Sequence, residues 1–140
     1  MMLSMERHGV QMKAFAPNKE QMHVIDHSKG QPMEGEKRNV LVEASRIVRG
    51  NIHDLKSLRV DEFDALFVPG GFGAAKNLSD FAVKGQDMTV DSEVERVLRE
   101  FHRAQKQIGL CCISPVLAAK VFGQVGLTLG KQGVEETWPY

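Results

Sequence analysis

The sequence has no surplus of charge, no long apolar run and almost no cysteine. Its 140 residues hold 18 Lys+Arg and 18 Asp+Glu, a net charge of zero with histidine neutral. A basic excess would point to nucleic acid and a basic amphipathic stretch to a membrane surface. With neither, no nucleic acid and no membrane are expected as partners. No apolar run nears the ~20 residues that span a bilayer. The opening MMLSMER lacks the apolar core and cleavage site of a secretory signal, and is too short and too acidic for an amphipathic transit peptide. The two cysteines, Cys111 and Cys112, are adjacent. Consecutive strand residues point to opposite faces, so no disulfide between them is expected. Two cysteines do not make a secreted disulfide framework, and a reducing compartment fits better.

What is present suits one globular domain: 42% hydrophobic residues, 26% charged, 13 Gly and 5 Pro. A chain of this length hides roughly two-thirds of its unfolded surface. Residues 2–7, closed by Gly9, fit a helix with a glycine stop. Residues 10–15 alternate apolar and polar up to Ala16-Pro17, which predicts a strand. Residues 20–37 are polar and broken by Gly30, Pro32 and Gly35, which predicts a long loop. Residues 39–49 have helical apolar spacing up to Gly50. Residues 64–68, DALFV, form a short continuous apolar run, the pattern of a parallel strand buried on both faces.

The clearest helix is 91–105, with Val94, Val97, Leu98, Phe101 and Ala104 on one stripe. Ser92 and Glu95 have capping-box spacing, and Glu95 and Arg99 are an i,i+4 pair. Residues 108–111 predict another strand and 114–122 a helix apolar nearly all round, ended by Gly123; 127–129 could add a strand. Helices alternating with strands imply a parallel sheet covered by helices on both faces.

Two segments carry chemistry. In Ile108-Gly109-Leu110-Cys111-Cys112-Ile113-Ser114-Pro115 a buried strand runs into a helix with no connecting loop. Ser114 suits the N-cap and Pro115 the first helical position. Cys112 then stands at the turn, where unpaired N–H groups and the helix dipole favour an anion, and thiols so placed ionise more readily. This is the strand–nucleophile–helix arrangement of hydrolases, with Cys for Ser. A buried inert thiol is the alternative; Cys111 is expected to take that role and face the core. The second segment is Pro69-Gly70-Gly71-Phe72-Gly73 after the 64–68 strand. Glycines there let backbone N–H groups point into a cleft at the carboxyl edge of the sheet, where α/β folds bind ligands. The Gly71 and Ile113 N–H groups could form an oxyanion hole facing the Cys112 sulfur. Lys76 and Asn77 follow the loop and either line the pocket or cap the next turn.

The remaining candidates are weaker. His23 and His27 are four apart but lie in a polar loop without a third ligand, so no metal site is expected. His102, Glu43 and Glu100 fit helix surfaces, and Trp138 and Tyr140 fit packing.

VPGGFGAAKNLSDFAVKG and IGLCCISPVLAAKV, with FAPNKEQMHVIDHSKGQPMEGEKRNVLVEASRI upstream, resemble the ThiJ/PfpI branch of the class I glutamine amidotransferase-like superfamily. Within it the match is close to the ElbB-like glyoxalase subfamily and its vertebrate mitochondrial relatives. The resemblance implies a flavodoxin-like three-layer α/β sandwich around a parallel sheet, with reactive Cys112 and an oxyanion pocket from Gly70, Gly71 and Ile113. It also implies cofactor-free thiol chemistry on a small-molecule carbonyl substrate, mitochondrial localisation, and room for a homodimer. The family opens with a strand and an acid-bearing loop and continues with more strand and helix. Against that pattern, residues 1–140 are expected to be a single incomplete domain, truncated at both ends, with impaired stability and turnover. No Cys-His-Glu glutaminase triad can be assembled from these residues. The rival class is a non-enzymatic pseudoenzyme, or a binding or redox-sensing member with Cys112 as an oxidisable thiol.

Overall fold

The first helix, α1 (Met2–Arg7), stops where the sequence predicts. Gly9 takes φ +72°, its N–H donates to Glu6 O (2.9 Å), and the Val10 N–H donates back to Met5 O (3.1 Å). These are the paired bonds of a Schellman stop, for which glycine is the cheapest residue. The computed structural model describes residues 1–127. The expected strand over 127–129 and the candidates Trp138 and Tyr140 fall wholly or partly outside them, and Leu127 is in no strand.

Two parallel ladders follow. β1 (Ala14–Ala16) pairs with β4 (Ile52–Asp54), and β5 (Ala65–Val68) pairs with β6 (Gln107–Leu110). β1 starts four residues later than the alternation at 10–15 predicts; Val10 is left exposed. The predicted 20–37 loop is corrected in part: it folds back as a small antiparallel hairpin of β2 (Ile25–Asp26) and β3 (Gln31–Pro32). Its turn is set by Asp26, whose carboxylate accepts from the Ser28 N–H (2.9 Å) and hydroxyl (2.6 Å), which also holds its pKa below the usual carboxylate value. α2 (Val40–Ser45) is shorter than predicted, and a single-turn helix, α3 (Phe81–Lys84), is the next α-helix along the chain. Asn39 caps α2 by accepting from the Val42 N–H at 3.1 Å, but Ile47 is 77% exposed, so nothing beyond the first turns anchors that helix.

The core lies on one face of the β5–β6 ladder. Leu66, Val68, Ile108 and Leu110 pack with the stripe of α4 (Ser92–Arg103), namely Val94, Val97, Leu98 and Phe101, and with Val116, Leu117 and Val121 of α5 (Pro115–Phe122). The prediction that the 64–68 strand is buried on both faces is corrected here: its opposite face carries Phe67, 48% exposed. Register pairs Phe67 with Gly109, and its ring lies where a Cβ on Gly109 would sit. A second correction concerns α4. Asp91, not Ser92, is the N-cap, accepting from the Glu93 (3.0 Å) and Val94 (3.4 Å) N–H groups while Lys19 Nζ pairs with its other oxygen at 2.6 Å. Asp and Ser are equally good caps, so the one with the longer-range partner takes the position. Ala104 leaves the stripe, because the helix ends at Arg103. The Glu95–Arg99 pair forms as predicted (2.8 Å). Among the described residues no helix is long and apolar enough to cross a membrane.

Candidate functional site

β6 ends at Leu110, and the Cys111 N–H makes one further bond to Val68 O (3.2 Å). Cys112 then takes φ +58°. This left-handed residue turns the chain so that the Ser114 N–H reaches Cys111 O (3.0 Å) and the Val116 N–H reaches Ile113 O (3.1 Å), and α5 begins at Pro115. The strand thus passes into the helix through a single tight elbow with Cys112 at its apex. A non-glycine residue with positive φ is uncommon and costs about 1–3 kcal/mol. Among the described residues, Arg49 and Gln105 are the other non-glycine residues in this conformation, both at φ +54°.

Cys112 is exposed, and so is Cys111. The expectation that Cys111 faces the core is therefore corrected. It lies past the last ladder residue, in register with the uncovered Phe67 face rather than the core face of Leu110.

The second wall of the elbow is the chain leaving β5. Gly70 lies directly against it: a Cβ built there would sit 2.5 Å from Cys112 Cβ, 2.8 Å from Cys111 O and 3.0 Å from Ile113 N. Only a residue without a side chain allows this approach. Ser114 completes the join. It is fully buried, and its hydroxyl donates to Pro69 O at 2.6 Å. The expected N-cap role for Ser114 is corrected accordingly, since its side chain makes no cap bond to α5 and instead ties the helix start to the glycine loop. No local signal reveals this bond, which spans 45 residues. Replacing Ser114 with Ala removes a part-buried hydrogen bond and is expected to cost about 1 kcal/mol. Urea unfolding of Ser114→Ala within ~0.3 kcal/mol of the parent would show that the bond contributes nothing net.

Gly71, at φ +80°, opens the next turn, with its carbonyl accepting from the Ala74 (3.1 Å) and Ala75 (3.4 Å) N–H groups. Among the described residues, neither the Gly71 nor the Ile113 N–H finds a protein acceptor. The turn widens to a π-helical segment at Ala74–Leu78, a form common at functional sites. Here Lys76 Nζ lies 4.8 Å from the Phe72 ring centroid, and partial burial lowers its pKa. Asn77 Oδ1 accepts from the Met22 N–H (2.9 Å), fastening the segment to the loop before β2. Neither Lys76, Asn77 nor Cys112 lines the two clefts beside α4, one at Asp87–Val90 and Lys120, the other at Pro17–Lys19 and Asp91. The elbow opens to solvent. His27 is exposed, and among the described residues no three His, Cys, Asp or Glu side chains gather as metal ligands.

No protein-family model matches the chain. Among solved structures it is similar to an isoprenoid biosynthesis protein with an amidotransferase-like domain from Ehrlichia chaffeensis, with TM-score 0.80 and 45% identity over 86% of this chain and 57% of that one. The fold is that amidotransferase-like, flavodoxin-type α/β architecture. The chain is also 59% identical to human glutamine amidotransferase-like class 1 domain-containing protein 3, mitochondrial, over 99% of its length. It is 56% identical to the rat mitochondrial ES1 protein homolog and 40% identical to the zebrafish mitochondrial ES1 protein, again over 99% of its length. The chain spans about half the length of each of these three relatives: 52%, 53% and 54%.

Proposed function

We propose that the chain carries the thiol centre of a protein that captures small reactive carbonyls, in a glyoxalase- or deglycase-like reaction. The observation that carries this reading is the exposed Cys112 at φ +58°, packed against Gly70, with the N–H groups of the next residues along each segment, Gly71 and Ile113, finding no protein acceptor among the described residues. The Cys112 thiolate adds to the aldehyde carbon of a 2-oxoaldehyde, and the carbonyl oxygen becomes the alkoxide of a thiohemiacetal. The two N–H groups are the donors for that oxygen. A general base then carries the hydrogen from the first carbon to the second, and water releases the 2-hydroxy acid, so that methylglyoxal plus water becomes lactate. Among the described residues no carboxylate hydrogen-bonds the Cys112 thiol. The addition step is what these residues supply. Lys76 and Asn77, on the turn that leaves the glycine loop, are the side chains proposed to border the bound carbonyl. The relatives' names support a mitochondrial location.

The test is to incubate the protein with methylglyoxal and assay lactate against Cys112→Ser. Lactate formed by the parent and lost in the variant is expected; equal turnover in both removes the enzyme reading. A second reading, a redox-sensing or binding protein, draws on the same exposed thiol. Labelling of Cys112 at pH 6 without any lactate would favour it.

A further inference from the structure

We propose that Cys111 is the resolving thiol of Cys112, the pair forming a reversible disulfide between neighbouring residues when a hydroperoxide oxidises the elbow. Strand alternation would keep the two side chains apart, but it does not apply here. β6 ends at Leu110, and Cys112 at φ +58° has left the extended conformation. Both thiols are free and exposed, and they are joined through one peptide unit. Gly70 fills the space beneath the Cys112 Cβ, so that side is closed to the sulfur. The inference rests on the reading of Cys112 as a reactive thiol, but not on any carbonyl reaction.

The steps balance. The Cys112 thiolate attacks one oxygen of the hydroperoxide, the O–O bond breaks, and hydroxide or alkoxide leaves. Cys112 is now a sulfenic acid, and the peroxide has taken two electrons. The Cys111 sulfur then attacks the Cys112 sulfur, the S–O bond breaks, and the departing hydroxide takes the Cys111 proton as water. Neighbouring Cα atoms lie about 3.8 Å apart across a trans peptide. Ordinary disulfides hold theirs roughly 4.4–6.8 Å apart, so this ring is strained and readily reduced. Strained, exposed disulfides are the labile and regulatory ones. The ring would cap Cys112 at the disulfide and keep it from the irreversible sulfinic acid.

The experiment treats the full chain with hydrogen peroxide, blocks remaining thiols, and weighs the tryptic peptide between Lys106 and Lys120, which contains both cysteines. In the parent the peptide is expected to lose two hydrogens and both free thiols, and to recover both with dithiothreitol. In Cys111→Ser it gains one oxygen, which dimedone traps, and then a second that dithiothreitol does not remove. In Cys112→Ser it is unchanged. A parent peptide that gains oxygen as Cys111→Ser does, or that appears as a cross-linked dimer, overturns the resolving role. If iodoacetamide still labels Cys112 in that case, only this inference falls. If neither peroxide nor iodoacetamide modifies Cys112, the reactive-thiol reading falls with it.

Discussion

Gly70→Ala is expected to destabilise the chain by about 3 kcal/mol and to abolish rapid labelling of Cys112. The added methyl would sit 2.5 Å from Cys112 Cβ and 2.8 Å from Cys111 O, closer than carbon atoms approach. None of the opposing atoms is the free end of a flexible side chain. They belong to an elbow already held by a left-handed residue, by the Ser114–Pro69 bond and by the first turn of α5. The strain must therefore move backbone, and the backbone it moves carries Cys112. Overpacking of this kind costs about 1–3 kcal/mol and sometimes more, which lowers a urea midpoint by roughly 1–2 M. The matched control is Gly73→Ala. Gly73 has helical angles (φ −56°, ψ −46°) and nothing within 4 Å of a built Cβ, so the substitution should be neutral or stabilising by about 0.5 kcal/mol. Equal midpoints for the two variants would show that the loop after β5 does not pack on the elbow as described.

The elbow was legible because its chemistry is local. An apolar strand, a cysteine, Ser114 and Pro115 occur in consecutive order, and a strand that meets a helix-starting pair with no loop between them has only a tight turn available. α4 was legible for the same reason, since four apolar positions at helical spacing, Val94, Val97, Leu98 and Phe101, fix both the element and its buried face. What long-range contact decides was not legible. Ser114 is a good cap by type, yet its hydroxyl goes to Pro69, and that choice depends on β5 lying beside β6. Asp91 displaced Ser92 as the cap of α4 with Lys19, 72 residues away, as its second partner. β4 escaped notice because three residues, Ile52, His53 and Asp54, show no period, and its pairing with β1 is what makes it a strand. The general burial of free cysteines places Cys111 in the core, but by alternation it falls on the Phe67 face of the ladder, which is the exposed one. The chemistry that an exposed thiol at this position performs was not legible from pattern alone; it entered through resemblance, because fold does not imply function.

Phe101→Ala should have the largest effect on stability of any single truncation, about 3–5 kcal/mol. Phe101 is 1% exposed and sits with Leu98 and Leu117, both fully buried, where α4 and α5 meet behind β6. A domain of this size is held by about 5–15 kcal/mol in all, so the loss is a large share of the whole. The consequence reaches the site. α5 has no side-chain cap of its own, so its start is held by Ser114 and Pro69 on one side and by packing of Val116, Leu117 and Val121 on the other. Loosening the second anchor leaves a strained Cys112 with less to enforce it, and the residue relaxes toward ordinary backbone. Phe101→Leu, which keeps most of the volume, should cost about 1–1.5 kcal/mol and leave the elbow in place. The pair is read by urea midpoint and by the rate of Cys112 alkylation in the absence of denaturant. The expected pattern is a sharp fall in midpoint for Phe101→Ala, with alkylation of Cys112 losing its preference over Cys111, and a small fall with the preference kept for Phe101→Leu. If Phe101→Ala melts within ~1 kcal/mol of the parent, the interface between α4 and α5 is not what holds the elbow. A large loss of stability with the preference unchanged would instead place the whole of that restraint in Ser114 and the glycine loop.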